Sequence, residues 1–366
     1  MGIDIGVRAI KLLQLREHGR RLRVVGAGRI DMHGNGDVGR LVEQLRGVVA
    51  AGGFTGRRCA VCLPRHEIRV QSVRLPRMPD EELRQAAMWE ASQRFGFDHN
   101  AMEVDVIRTG AELQGGENRE EVLLIAAPHE SINTWLEPMM AAGLRPVALE
   151  THFTALVRTF TGTGPIDPTQ PRIRVVIDVG ASGSTVIITR NDQIAFCKSI
   201  DVGGEQFDRA VAEHLQIDSG AARELRAARL AAATGHDVAP ALNDPSIQRA
   251  EYDAVRPLLG SFAKEVMLCI RYYGVTFRGQ PPERLLLTGG DGLEPRLGET
   301  LAEQCKVPVS YDHGSMMDSF AEGIRSVLQR PAGPSAWWAV AAGLSLRGLS
   351  LNRRRLIKMG SGRKAA

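Results

Sequence analysis

The sequence has no apolar run long enough to cross a membrane. A spanning helix needs about 18 or more predominantly apolar residues. The longest candidate, Trp337 to Leu346, stops at Arg347 after ten residues. The N-terminus begins Met1-Gly2-Ile3-Asp4 and shows neither the basic nor the apolar segment of a secretory signal. We therefore expect a cytosolic protein.

Cysteine is scarce, which argues against a disulfide scaffold. The chain has five cysteines among 366 residues, an odd number without a secretory context. Cys59-Ala-Val-Cys62 has the spacing of a redox or zinc pair, but it has neither a second pair nor an adjacent His ligand. Because residues i and i+3 of a strand face opposite sides of a sheet, we predict that both are core cysteines.

Two nucleotide-binding signatures and a basic nucleic-acid-binding surface are also missing. The chain has no GxxxxGK[ST] loop and no GxGxxG fingerprint, which argues against P-loop and Rossmann chemistry. The net charge is +4, but seven cations and no acid follow from Arg347 onwards, so the rest of the chain carries −3. We therefore predict no nucleic-acid partner. The basic tail at 351–366 is either solvated or attracted to an anionic membrane or an acidic partner.

An aspartate–glycine pattern occurs twice, close to half a chain apart. Ile-Asp-Ile-Gly at 3–6 precedes the strand-like stretch Ile10–Leu15, and Ile-Asp-Val-Gly at 177–180 precedes Thr185–Thr189. The two aspartates, Asp4 and Asp178, are 174 residues apart. This repetition predicts a duplicated domain with a cleft between the halves.

The chemistry of the two turns fits a nucleotide. A glycine turn, at Gly6 and again at Gly180, lets backbone N–H groups approach phosphate oxygens. Aspartates at such turns repel a polyphosphate unless a cation intervenes, so Asp4 and Asp178 imply Mg²⁺. Lys11 is placed to reach the phosphates as a point charge. The alternative is that each hairpin is a tight turn with a capping Asp.

Two further glycine pairs support the nucleotide interpretation. Leu285–Leu287 is an apolar strand that leads through Thr288 into Gly289 and Gly290, a turn suited to a flat base or ribose. Gly203 and Gly204 open a predicted helix whose free N–H groups can face phosphate.

Strand-like and helix-like stretches alternate along the chain, which predicts an α/β fold. Val38–Ala51, Asp80–Arg94 with Asp80 as its capping residue, and about Glu150–Phe160 are predicted helices. The Gly- and Pro-rich stretch 161–172 is the predicted linker, 235–245 is a predicted loop and 331–334 is a predicted hinge. We expect a first domain at 1–172 with an inserted subdomain at about 55–140. A second domain at 173–336, a terminal helix at 337–350 that returns to the first domain, and the tail at 351–366 would follow.

The order of these motifs resembles that of the actin, sugar-kinase and DnaK-type chaperone superfamily, and within it the PilM family of type IV pilus assembly proteins. The resemblance covers nearly the whole chain. It is carried, beyond the two hairpins, by Val73–Leu83 with Trp89–Ala91, Gly143–Pro146, Ile200–Gly204, Leu287–Gly290 and Ala339–Leu344.

The resemblance implies two actin-like (RNase H-like) domains around an ATP cleft. Asp4 and Asp178 would hold Mg²⁺ through water, and Lys11 would contact phosphate. Gly203 and Gly204 would lie near the phosphates, and Gly289 and Gly290 near the adenosine. Glu265 matches a ribose-binding glutamate, or is a solvated helix acid. Asp178 or Glu150 would orient water for any hydrolysis.

The resemblance also implies a partner. The inserted subdomain would grip the N-terminal tail of the inner-membrane protein PilN as an extended peptide, next to other inner-membrane components of the pilus. The chain would thus be a cytoplasmic scaffold, peripheral to the inner membrane through its partners and with a capacity for self-association. Alternatives are a nucleotide-free adaptor of a type II secretion-like system, an FtsA-like filament-forming ATPase, and a sugar kinase, for which we find no marker.

Three positions depart from the family pattern. The first phosphate turn, where small hydroxylated residues are usual, has Val7-Arg8-Ala9, and Arg8 either contacts phosphate or points to solvent. Glu150-Thr151-His152 stands where the family tends to show Asp-x-Glu, and Leu268 stands where a polar residue often accompanies the ribose glutamate. We therefore expect ATP binding without efficient hydrolysis.

Overall fold

The computed structural model describes residues 1–19, 21–32, 38–98, 100–112, 118–160, 172–233, 244–277, 279–311, 315–328 and 333–349. The predicted linker 161–172 lies, apart from Arg172, outside the described residues. Most of the predicted loop at 235–245, part of the hinge at 331–334 and the basic tail lie outside them as well.

The fold is α/β, with thirteen strands in three sheets and ten α-helices among the described residues. The strands are β1 (Gly2–Ile5), β2 (Ala9–His18), β3 (Arg21–Asp31), β4 (Arg58–Cys62), β5 (Arg69–Pro76), β6 (Met102–Glu112), β7 (Arg119–Pro128), β8 (Arg145–Glu150), β9 (Ile173–Val179), β10 (Ser184–Arg190), β11 (Gln193–Ile200), β12 (Leu285–Thr288) and β13 (Val309–Ser310). The helices are α1 (Val38–Ala51), α2 (Asp80–Phe95), α3 (His129–Ala141), α4 (His152–Phe160), α5 (Gly204–Leu215), α6 (Ser219–Ala233), α7 (Pro245–Phe277), α8 (Leu297–Cys305), α9 (Ser315–Leu328) and α10 (339–349).

The two large sheets have the same topology. The first has the order β3-β2-β1-β4-β8 and the second the order β11-β10-β9-β12-β13. In each, three antiparallel strands form a meander, and two further strands add in parallel on the side of the first strand. The duplication predicted from the two Asp–Gly motifs is therefore present in the strand order, because β1 and β9 are the central strands of the two sheets.

A smaller unit interrupts the first domain. Strands β5, β7 and β6 form an antiparallel sheet, in that order, and α2 packs against it through Leu83 and Ala87. The strands and helix of this unit run from Arg69 to Pro128, inside the predicted range of about 55–140. Two other elements within that range belong to the first domain proper. Strand β4 pairs with β1 in the first sheet, and α3 packs against α1.

Two helices near the C-terminal end of the described chain pack against the first domain. The buried side chains of α10 join those of α4, β2 and β10 in one apolar cluster. Helix α9, within the predicted second domain, packs on β3 of the first sheet, where Val24 approaches Gly323 closely. The two domains therefore share a core at their junction as well as facing each other across a cleft.

Two local predictions need correction. Glu150 was expected to begin a helix, but it ends β8, and α4 begins at His152. Asp80 is the first residue of α2 and makes no capping hydrogen bond, because Pro79 occupies the N-cap position.

The expected core cysteines are confirmed. Cys59 and Cys62 are both buried and unbridged on β4, and they belong to different apolar clusters, as opposite faces of a strand require. Among the described helices, none combines the length and the apolar character that a bilayer-crossing segment needs.

Candidate functional site

A cavity of about 450 Å³ lies between the two domains, where the β1–β2 and β9–β10 turns face each other. These turns supply Gly6–Ala9 on one side and Gly180–Gly183 on the other. The structure brings seven of the predicted site residues to its wall: Asp4, Gly6, Lys11, Asp178, Gly180, Gly289 and Gly290.

The first turn has its aspartate and lysine already paired. Asp4 and Lys11 lie opposite each other on β1 and β2. Lys11 Nζ donates to Asp4 Oδ2 at 2.7 Å and to the Trp337 carbonyl at 2.8 Å. Because both side chains are mostly buried, the ammonium group is held in one place at the edge of the cavity.

The second turn has an aspartate without such a partner. Asp178 lies opposite Thr185, and its carboxylate makes no hydrogen bond or ion pair with any residue that the structure describes. Burial, together with the nearby Asp4 carboxylate, raises the pKa of Asp178 to about 6, although Lys11 and Arg65 act in the opposite direction. A carboxylate in this setting is a good ligand for an incoming cation.

The Gly289–Gly290 turn closes against the second aspartate. Gly289 has φ +94°, and a Cβ built there would lie 2.6 Å from Asp178 Oδ1. Gly290 has open space around the same position. The first glycine is therefore required by packing, and the second leaves room at the wall of the cavity.

Gly203 and Gly204 are not in the wall of the cavity. Gly203 packs against the backbone of Gly180 and Gly183, and the Gly204 N–H donates to the Gly180 carbonyl at 3.0 Å. The next N–H, that of Glu205, donates to Ala181 O at 2.9 Å. The first donors of α5 thus brace the second turn, which differs from the expectation that they face phosphate.

Neither predicted glutamate reaches the cavity wall. Glu150 accepts from Arg158 at 2.8 and 3.0 Å and also pairs with Arg347. Glu265 pairs with Lys198 at 2.8 Å on the outer side of α7. The structure therefore gives both carboxylates other partners.

The cavity also has a wall that the sequence did not reveal. His152 Nε2 lies 2.8 Å from Thr185 Oγ1, and burial, followed by the charge of Arg65, lowers the pKa of His152 to about 3, so its imidazole is neutral. Arg65 crosses from the first domain to donate to Thr185 Oγ1 at 3.2 Å and to the Ile200 carbonyl at 3.1 Å. These contacts join the two domains beside Asp178.

A buried charge network lies on the other side. Arg226 of α6 bonds Asp208, Asp291 and Glu294, all of them nearly inaccessible. Burial disfavours the charged form of Arg226, but the three carboxylates outweigh it and raise its pKa above the ordinary value. Arg8 of the first turn reaches two of these carboxylates, 2.6 Å from Asp208 Oδ2 and 3.0 Å from Asp291 Oδ2.

The charges that line the cavity favour an anion. Six cationic side chains face four carboxylates among the described wall residues: Arg8, Lys11, Arg29, Arg65, Arg223 and Arg226 against Asp4, Asp178, Asp208 and Asp291. Among the described residues no group of three or more metal-ligating side chains occurs. Two carboxylates do suit Mg²⁺ when water and phosphate oxygens complete its coordination, so the donor set fits a metal that arrives with a phosphate ligand.

A model of the type IV pilus assembly protein PilM family matches residues 2–349 of the chain. The chain belongs to this family. Family membership assigns it to type IV pilus assembly. No curated protein sequence matches the chain significantly.

Solved structures show the same fold. A structure titled "PilM-PilN type IV pilus biogenesis complex" matches with a TM-score of 0.73 at 22% identity, over 95% of this chain and 97% of that chain. The ethanolamine utilization protein EutJ from Carboxydothermus hydrogenoformans matches with a TM-score of 0.52 at 13% identity, over 94% of this chain and 88% of that chain. The predicted actin-like fold and the resemblance to the PilM family are thereby confirmed.

The site residues missed by sequence reasoning include residues of α6, of the segment after β4 and of the segment before α10. Arg226 is the basic residue that follows the buried Ala222 by one helical turn, and a basic residue on the inner face of a helix is a usable signal. Arg65 and Trp337 had no such signal. Their approach to the cleft depends on the packing of elements far apart in the chain.

Proposed function

We propose that the cleft binds ATP together with Mg²⁺ and that the protein is a nucleotide-binding scaffold of type IV pilus assembly. The observation that carries this proposal is the pairing of two equivalent turns across a cationic cavity, one with a lysine-bound aspartate and one with an unpartnered aspartate. Lysine supplies a phosphate contact, and a free carboxylate supplies a metal ligand.

Different residues would contact the metal, the phosphates and the adenosine. Asp4 and Asp178 would hold Mg²⁺ through water, with Lys11 on phosphate and the backbone of Gly6 and Gly180 near its oxygens. Gly289 and Gly290 would lie beside the adenosine. Three of the α6 residues that line the cavity, Arg223, Ala227 and Leu230, offer a cation and apolar surface to the base.

We propose slow hydrolysis at most. Glu150 is bonded to Arg158 and Arg347, and it would have to lose both to orient water. His152 is neutral and held by Thr185. Asp178 therefore stays as the candidate for orienting a water molecule, while it is also a proposed metal ligand. Because one carboxylate would have both roles, the site suits an efficient enzyme less well than it suits a scaffold whose cleft closes on ATP.

Isothermal titration with ATP tests the nucleotide proposal. We expect saturable binding in Mg²⁺ and binding at least tenfold weaker in EDTA, because the carboxylates would then face the phosphates without a cation. Absence of binding in Mg²⁺ would leave a nucleotide-free adaptor as the better description.

We further propose that the chain binds the N-terminal cytoplasmic tail of a PilN-like inner-membrane protein and is peripheral to the inner membrane through it. The matched relative was solved as a PilM–PilN complex. A groove of about 510 Å³ lies where the inserted unit, α4 and the β10–β11 turn meet, and it offers space for an extended segment. Its described lining is Ile107, Arg108, Thr154, Val157, Asp192, Gln193 and Ile194.

A groove-filling substitution tests the partner proposal. Gln193 is exposed at the groove, so Gln193→Trp should weaken binding of a PilN-like tail peptide at least tenfold by occupying its space. The matched control is Gln85→Trp, since Gln85 is an exposed residue of α2 that does not line the groove. Equal peptide affinity for both variants would place the partner elsewhere.

A further inference from the structure

The two phosphate turns differ most at one position. Arg8 in the first turn corresponds by the repeat spacing to Ser182 in the second. Arg8 extends across the cleft instead of pointing to solvent. Its Nη2 donates to Asp208 Oδ2 at 2.6 Å, and its Nη1 lies 3.1 and 3.0 Å from the two carboxylate oxygens of Asp291.

The second domain holds Arg8 firmly. The side chains of Asp208 and Asp291 are 9% and 1% exposed, and Arg226 bonds the remaining oxygen of Asp208 and also Oδ1 of Asp291. If Arg8 is removed, the three buried acids Asp208, Asp291 and Glu294 are left to share the single charge of Arg226. Arg8 therefore neutralises a negative cluster, and its leaving would be unfavourable.

Part of the guanidinium stays available to a ligand. The contacts with Asp208 and Asp291 use the two Nη atoms, and Nε has no acceptor among the described residues. Arg8 also lines the cavity, together with Lys11. A guanidinium has five N–H donors in a fixed plane, so it can bond the acids and an anion at the same time.

We propose that Arg8 is a phosphate ligand of this cleft and that Asp208 and Asp291 are positioning residues that fix it across the domains. This inference rests on the proposed nucleotide function and names the residue that replaces the usual hydroxyl donor of the first turn. Because the two acids belong to the second domain and Arg8 to the first, the arginine is in place only when the cleft is closed. Phosphate binding and closure are thereby coupled through one side chain.

Neutralising Asp208 should change the affinity for ATP in the direction opposite to the one that charge alone predicts. Asp208→Asn removes a negative charge from the wall of a cavity that takes an anion, so charge alone would tighten ATP binding. If Asp208 positions Arg8, the same substitution loosens the guanidinium and weakens binding instead. Asp208→Asn retains an amide oxygen that can accept from Arg8 or Arg226, which limits the damage to folding.

A double-mutant cycle measured by titration with Mg-ATP tests this. Arg8→Ala should weaken Mg-ATP binding at least about tenfold, the size of a charge-assisted hydrogen bond. Asp208→Asn should weaken it about threefold to tenfold in the wild-type background and not at all in the Arg8→Ala background. Adenosine, which has no phosphate, should bind all four proteins equally. Arg8→Lys keeps the charge but cannot bond both acids, so it should recover only part of the loss.

The outcomes distinguish a failure of the proposed role of Arg8 from a failure of the ATP site itself. Tighter Mg-ATP binding by Asp208→Asn in the wild-type background, or unchanged binding by Arg8→Ala, overturns the role of Arg8 and leaves the ATP site standing. Failure of the wild type itself to bind Mg-ATP overturns the ATP site and this inference together. The thermal midpoint of each ligand-free variant shows whether it is folded, and Arg8→Lys carries the test if Arg8→Ala is not.

Discussion

The β1–β2 and β9–β10 turns share one backbone design and differ in charge. In each, an aspartate near the end of a central strand faces a residue of the next strand in the same register. In the first hairpin Lys11 lies opposite Asp4, and Arg8 in the turn adds a second cation. The second faces Asp178 with Thr185 and has only small residues in the turn itself, Ala181 and Ser182 among them.

The comparison shows how a duplicated fold can become asymmetric without changing its topology. The first turn satisfies its own aspartate and brings two cations to the cleft. The second leaves its aspartate unpaired, with a pKa raised to about 6 by burial and by Asp4. The first half therefore offers cations for phosphate beside its own aspartate, the second half offers an unpaired carboxylate for a metal, and a ligand that uses both must contact the two domains.

The largest effect should come from removing the lysine of the first turn. Lys11→Ala leaves the buried Asp4 carboxylate and the Trp337 carbonyl without their donor, so we expect a loss of about 3 kcal/mol in the free energy of unfolding. The equivalent change in the second turn, Thr185→Ala, removes neutral contacts with His152 and a bond from Arg65, at about 1 kcal/mol. Urea denaturation measures both, and a larger loss in Thr185→Ala would contradict the asymmetry.

The two aspartates should respond to neutralisation with opposite signs. The folded-state pKa of Asp178 is raised from 3.8 to about 6, so its protonated form stabilises the fold at low pH. That contribution is lost as pH rises from about 4 through 6. Asp178→Asn should therefore stabilise the ligand-free protein at pH 7.5, by at most about 3 kcal/mol, and the gain should vanish near pH 4.

Asp4→Asn is the matched control, and at pH 7.5 it should destabilise because Lys11 loses its anionic partner. Thermal unfolding across pH measures both variants. Destabilisation by Asp178→Asn at pH 7.5 would mean that the carboxylate has a partner in the folded protein.

The glycine pair beside Asp178 offers a smaller test. Gly289→Ala forces a Cβ at φ +94° against Val179 O and Asp178 Oδ1, so we expect a loss of about 2 kcal/mol. Gly290→Ala meets no atom within 4 Å and should cost about 0.5 kcal/mol or less. Thermal unfolding of the two variants measures both effects. Equal shifts of the two midpoints would refute the packing argument.

Glu265 should have the smallest effect. Its partner is Lys198, both side chains are more than two-fifths exposed, and Glu265 does not line the cavity. Glu265→Gln should change stability by less than about 0.5 kcal/mol and leave Mg-ATP affinity unchanged by titration. A tenfold loss of affinity would restore the ribose-binding role that the resemblance implied.

The fold could be predicted well because its signals are local. Alternating apolar strands around two Asp–Gly turns specify the meanders, and Val38–Ala51 was predicted with the bounds that α1 has. The boundary errors have physical causes. Glu150 is the last residue of the alternating strand β8, and its carboxylate is fixed by Arg158 and Arg347, which a helix-start pattern does not reveal.

The site could be predicted only in its turns. Residues such as Asp4 and Gly289 belong to short motifs whose backbone geometry is set by neighbours in sequence. The partners of Arg8 lie 200 and 283 residues away, and the face that Glu265 presents depends on how α7 packs. Neither long-range pairing nor helix rotation is specified by local sequence, so the network around Arg226 was missed.

Thermal unfolding of the wild type and of Asp178→Asn, each with and without Mg-ATP, tests the central claim most directly. A ligand at 100 times its Kd should add about 2.7 kcal/mol and raise the wild-type midpoint by several degrees. Our account predicts that rise in the wild type and little or none in Asp178→Asn, whose ligand-free midpoint should start higher. No rise in the wild type, or an equal rise in both proteins, would contradict a metal–nucleotide site built on Asp178.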